Sequence, residues 1–141
     1  MKKIFSLLLA VACVAATAHA QNIVVPAAVK NAFQSKYPDA TDVKWGKENS
    51  KEFEAEFKLG NTSVSANFKT DGSWVETETV VPITDLPAAV STAITTKNPG
   101  AVITLAEKLD MPGNKTLYEV SFRVNGKRKS MELHPDGTKA D

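Results

Sequence analysis

The sequence predicts an α+β fold built from two tandem helix-plus-antiparallel-sheet units, α-β4 followed by α-β3/4, with both helices on one face of the sheet. Three observations carry that expectation. "PAAVKNAFQSKYPDA" (26–40) returns 61 positions later as "PAAVSTAITTKNPGA" (87–101), identical at eight of fifteen positions, where unrelated segments would share about one. After each copy the apolar pattern changes from helical to alternating spacing. Each alternating stretch then runs into an Asp-Gly pair, at 71–72 and at 136–137. Order and spacing are kept throughout, which is the mark of an internal duplication.

The first element of each copy is a short helix. Ala28, Val29, Ala32, Phe33 and Tyr37 fall on one face of a 3.6-residue repeat, as do Ala89, Val90, Ala93 and Ile94. Pro38 and Pro99 end these helices, because proline disfavours helical geometry in the residue before it. Thr84 or Asp85 is positioned to cap the second helix, whereas the first has no comparable cap. Strands are expected near 42–46, 73–80 and 102–109, with Val43 and Trp45 both facing the core. Phe53, Ala55, Phe57 and Leu59 alternate with Glu52, Glu54, Glu56 and Lys58, and "YEVSFRV" (118–124) repeats the pattern. Such strands have one apolar and one polar face, as a sheet covered on one side requires. "GN" at 60–61 and "NG" at 125–126 supply hairpin turns. The second copy ends four residues after its Asp-Gly, so its last strand is stunted or absent.

The chain opens "MKKIFSLLLAVACVAATAHAQ", with two lysines, an apolar run and a small-residue Ala-His-Ala site. This is the layout of a secretory signal peptide cleaved after Ala20. The expected organisation is therefore a leader (1–20), a first unit (21–81) and a second unit (82–141) in one compact domain, periplasmic or secreted. Loss of the leader removes Lys2, Lys3 and the only cysteine, Cys13. Fifteen Lys+Arg then face sixteen Asp+Glu, a net charge of −1. That balance offers no field for nucleic acid, no disulfide or thiolate chemistry, and no cysteine ligand. No integral membrane segment is expected once the leader is gone.

The segments "LPAAV", "KYPDATDVKW", "FEAEF" with "VSANFKTDGSWVETE", and "YEVSFRVNGKRKSMELHPDG" together resemble the PepSY-like proteins of the bacterial envelope, whose fold is described as beta-lactamase-inhibitor-protein-like. The resemblance spans nearly the whole chain after the leader. It implies tandem units forming one curved sheet with an open polar face, in an exported protein of Gram-negative gut-commensal type. It supplies no catalytic residues, and it implies that proteins of this shape bind or inhibit other proteins.

The residues themselves offer little for catalysis. His134 is the one histidine outside the leader and cannot build a multi-histidine zinc site. Glu52, Glu54 and Glu56 project from one strand face into water, where nothing separates their pKa values. Lys127, Arg128 and Lys129 crowd a hairpin tip, the pattern of a charged turn guarding a sheet edge. Trp74 shares alternate spacing with Glu76 and Glu78, so it either stands on the acidic face as an interface anchor or is turned inward by a local twist. No catalytic, cofactor or metal site is expected. The expected function is protein binding, as an inhibitor or regulator of an envelope or secreted protein, through Glu52, Glu54, Glu56, Trp74, Arg123 and Arg128. The competing expectation is a small-ligand carrier or sensor with a pocket between helices and sheet.

Overall fold

The computed structural model describes residues 23–140; the expected leader and its cleavage site lie outside them. In chain order the elements are α1 (Ala27–Lys36), β1 (Thr41–Lys47), β2 (Glu52–Leu59), β3 (Thr62–Lys69) and β4 (Trp74–Val80), then a 3-10 turn (Ile83–Asp85), α2 (Ala88–Lys97), β5 (Val102–Met111), β6 (Lys115–Val124) and β7 (Lys127–Leu133). All seven strands form one antiparallel sheet in sequence order. Four residue pairs, Thr77↔Asp110 to Val80↔Glu107, join β4 to β5 and make the sheet continuous. The chain is thus α+β, with two helices and an open seven-stranded sheet.

Cross-strand partners share a face, so the register separates the two sides of the sheet. Phe53, Ala55 and Phe57 pair with Phe68, Ala66 and Val64, and these six bury against Val29, Phe33 and Tyr37 of the α1 segment. Phe33 is the hub of that core. Its ring meets Phe57 at 5.0 Å, Trp45 at 5.2 Å, Tyr37 at 5.5 Å and Phe68 at 6.2 Å, three of the four contacts edge-on, the arrangement aromatic quadrupoles favour. The second core is aliphatic apart from Phe122, with Val90 and Ile94 of α2 set against Ala106, Val120 and Leu133.

Each helix starts at a proline that supplies no side-chain cap. The expected cap at Thr84 or Asp85 is not made, because those residues are spent in the 3-10 turn ahead of Pro87. Both helices end where predicted, before Pro38 and Pro99, and the N–H of Tyr37 and Asn98 closes on the carbonyl of Phe33 and Ile94. The Asp-Gly turns hold the other end of each helix. Asp71 Oδ1 accepts from the Ser73 N–H and Asp136 Oδ1 from the Thr138 N–H. Gly72 (φ 88°) and Gly137 (φ 82°) then lie so close to α1 and α2 that a Cβ would stand 2.7 Å from the Ala28 carbonyl oxygen and 2.5 Å from that of Ala89. Only glycine fits such a position, on backbone angle and on space alike.

One expectation is corrected by a bulge. One extra residue in β1 falls between the pairs Thr41↔Lys58 and Lys44↔Glu56, and Asp42 takes φ 55°. Alternation is therefore broken at Val43, which is 37% exposed rather than core, while Trp45 regains the helix side opposite Ala55. The last strand of the second copy, expected to be stunted or absent, does not form: the chain after the second Asp-Gly returns only far enough for a single bridge, Leu133↔Lys139.

Candidate functional site

The sheet face away from the helices is where polar side chains collect. Register places Glu52, Glu54 and Glu56 of β2 there, with Glu76 and Glu78 of β4, Glu107 of β5, Glu119 of β6 and Glu132 of β7. Glu107, Glu119 and Glu132 stand abreast on adjacent strands, an arrangement of like charges that costs stability where nothing offsets it. The cations of this face lie at its margins. Lys44 and Lys58 are near the β1 edge, and Arg123 and Arg128 are paired at the far end of β6 and β7. A groove of about 750 Å³ lies on the face between Glu54, Glu56, Glu78 and Glu107, with Lys44 and Lys58 in its wall on the β1 side.

Crowding on this face raises carboxyl pKa values. Burial pushes Glu78 up to about 8, helped by the charges of Glu76, Glu107, Glu119 and Glu54. Burial likewise raises Glu54, Glu76 and Glu107 above the ordinary carboxylate range, with neighbouring glutamates adding to each. The expectation that Glu52, Glu54 and Glu56 all stand in open water is therefore corrected: all three are half-buried. The reason is lateral. Ser65 and Asn67 of β3 flank them, and the β4 glutamates follow one strand further on. A single strand read alone cannot reveal that shading.

Asn67 sits in the middle of this face. Glu54 is opposite it on β2 and Glu76 opposite it on β4. It is 5% exposed, its Nδ2 donates to Glu76 Oε1 at 3.2 Å, and its Oδ1 is buried without a hydrogen-bond partner. Such a group is expensive to leave unmatched. Nothing in "VSANFK" marks Asn67 as a polar residue buried on the outer face.

Of the residues expected to form the face, Glu52, Glu54, Glu56, Arg123 and Arg128 are on it, and Trp74 is not. An extra residue in β4 between the pairs Asn67↔Glu76 and Phe68↔Trp74 turns Trp74 to the helix side. There its Nε1 donates to Thr77 Oγ1 at 3.0 Å, and Lys36 Nζ stands 3.6 Å above the ring. Tyr37 Oη bonds the same threonine oxygen. The interior between α1 and the sheet is filled by these rings. The hollow beside Phe33, Tyr37 and Trp45 measures about 270 Å³, below the ~300–1,000 Å³ usual for ligand pockets. Among the described residues no group of three or more His, Cys, Asp or Glu is arranged to hold a metal ion, and no helix is long and apolar enough to cross a membrane. His134 lies exposed at the final turn.

Two helices backing one face of an open antiparallel sheet, with a polar groove on the other, define a protein of the beta-lactamase-inhibitor-like fold class. Solved structures share that fold. A BLIP-like protein from Bacteroides fragilis is 24% identical over 85% of this chain and 86% of its own, with a TM-score of 0.69. A DUF2874 family protein from Bacteroides uniformis is 20% identical over 84% and 88%, with a TM-score of 0.75. A protein from Bacteroides eggerthii described as "putative periplasmic" is 19% identical over the same shares, also at 0.75. No curated protein matches the chain. The family model described as "Putative beta-lactamase-inhibitor-like, PepSY-like" matches residues 16–61 and again 51–137, and the chain belongs to that PepSY-like family.

Proposed function

We propose that this chain is a non-enzymatic periplasmic protein-binding module that inhibits or regulates another envelope or secreted protein. It consists of a leader removed after Ala20 and two PepSY-like units, 21–81 and 82–141, sharing one curved sheet. The observation that carries this reading is the open sheet face, backed by a rigid aromatic core and bearing a groove of about 750 Å³. Glu52, Glu54, Glu56, Arg123 and Arg128 form its contact surface, and Trp74 supports the opposite side. A backed, hydrogen-bonded sheet meets a partner with little change of shape, which lowers the entropic cost of association. The BLIP-like neighbour and the neighbour described as periplasmic support the class and the compartment.

Photocrosslinking in the intact envelope tests this. A photoreactive residue at Ser63 or Arg128, exposed on the open face, should yield a discrete protein adduct. The same residue at Gln34 or Thr95, exposed on the helices, should not. Adducts from the helices alone, or from no position, would overturn the proposal.

A further inference from the structure

The partner's chemistry is written in the middle of the open face. Eight of the chain's sixteen acidic residues are glutamates on this one surface. Four of them, Glu54, Glu56, Glu78 and Glu107, line the groove, with Lys44 and Lys58 on its β1 side. A neutral or acidic segment laid across this face would trap uncompensated charge in a drier environment, at a cost that rises with burial. A cationic segment would relieve it.

The second, independent observation is Asn67. Its amide orientation is set by Glu76, since a carboxylate accepts and only Nδ2 can donate. Oδ1 is thereby left as an acceptor, buried and unpartnered. It stands between Glu54 and Glu76, carried by strands on either side of β3 and therefore about 10 Å apart at the backbone. One lone acceptor between two carboxylates accommodates a group with several N–H donors and a positive charge. An arginine guanidinium has five donors in a planar fork, and a lysine ammonium three.

We propose that the open face binds a basic, extended segment of its partner, with one arginine or lysine seated over Asn67 between Glu54 and Glu76 and further cations lying along the groove toward Glu78 and Glu107. This rests on the protein-binding reading of the same face. Burial first, and neighbouring glutamates in addition, raise the pKa values of Glu54, Glu76 and Glu78, and the second of these causes is one that an added cation offsets. Along an extended segment, side chains on one side recur every ~7 Å, the distance from the Glu54–Asn67–Glu76 row to the Glu56–Ser65–Glu78 row. Basic residues at alternate positions therefore match both rows.

The probe is a seven-residue peptide alternating arginine with serine, titrated into the purified protein by calorimetry, beside a peptide with glutamate in place of arginine. The arginine peptide should bind and the glutamate peptide should not. Glu54→Gln with Glu76→Gln should weaken binding about tenfold, and Asn67→Ala about fivefold. Asp39→Asn with Asp85→Asn removes the same charge at exposed sites off this face and should change affinity less than twofold. Asn67→Ala is accompanied by a thermal scan, and the glutamine pair decides the matter should Asn67→Ala fail to fold. Absence of arginine-peptide binding overturns the inference, as does an equal loss in both double variants, which would signal general charge attraction. A crosslinked partner on the open face that still binds the Glu54→Gln, Glu76→Gln protein unchanged would leave the protein-binding reading standing and remove this one.

Discussion

The two halves of the molecule reach one geometry with different interiors. Where α1 presents Phe33 to four aromatic rings, α2 presents Ile94 at the matching position to a core whose one fully buried aromatic is Phe122. Where Tyr37 bonds Thr77, Asn98 at the matching position turns its Nδ2 back to the Ile94 carbonyl and toward Met131. The contacts that do not vary are those of backbone. Both helices open on a proline and stop before one, and both receive a glycine against their second alanine. The fold is thus specified by where chain must approach chain, and the filling between is free to change, as expected of cores that tolerate substitution at conserved volume.

The two halves differ most in their cores. Phe33→Ala should cost about 4 kcal/mol and Ile94→Ala about 3 kcal/mol, read as unfolding free energies from urea titration. Equal or reversed losses would show that the aromatic hub adds nothing to the first half. The glycine contacts come next. Gly72→Ala and Gly137→Ala should each cost about 3 kcal/mol, because a positive φ and a clash with a helix carbonyl act together. A loss at one position only would break the equivalence of the two turns.

A third test acts at the junction of the halves. Glu78 titrates near 8 in the folded protein against 4.5 ordinarily, so the folded state holds this proton more tightly. Its contribution to stability is fully present below about pH 4.5 and is lost as pH rises toward 8. Glu78→Gln keeps the uncharged form. It should match the native protein at pH 4 and exceed it by about 1–2 kcal/mol at pH 8, with Glu54, Glu76, Glu107 and Glu119 as the surrounding charges. A stability difference that does not change between those pH values contradicts it. The smallest effect separates matching lysines. Lys36→Ala loses a cation–π contact with Trp74 and should cost about 0.5–1 kcal/mol. Lys97→Ala should cost less, since the residue matching Trp74 is Lys139.

Much of the architecture was legible because it rests on local signals. Helix ends follow from Pro38 and Pro99, and the hairpins follow from alternation and glycine. What escaped was decided by single inserted residues. The bulge at Asp42 moved Val43 out of the core, and the one beside Phe68 moved Trp74 to the helix side. The site was legible as separate strands, Glu52, Glu54 and Glu56 on one and Glu76 and Glu78 on another, with Arg123 and Arg128 apart from both. Its breadth, and the place of Asn67 within it, come from register across β2 to β7, which no single strand encodes.

The glycine contacts also bear on how the chain is completed. Gly72 closes on Ala28 from 44 residues away, and Gly137 on Ala89 from 48. In each half the last turn to be made is the one that seats the first helix. A polypeptide emerging N-terminus first can assemble its opening half while the rest is still in transit, but α2 must wait for the turn at Gly137 to arrive. The closing "HPDGTKA" contributes no buried apolar side chain. It nevertheless acts as the latch of the second half, and a chain cut after Leu133 would carry every core residue and still lack the piece that holds its second helix down.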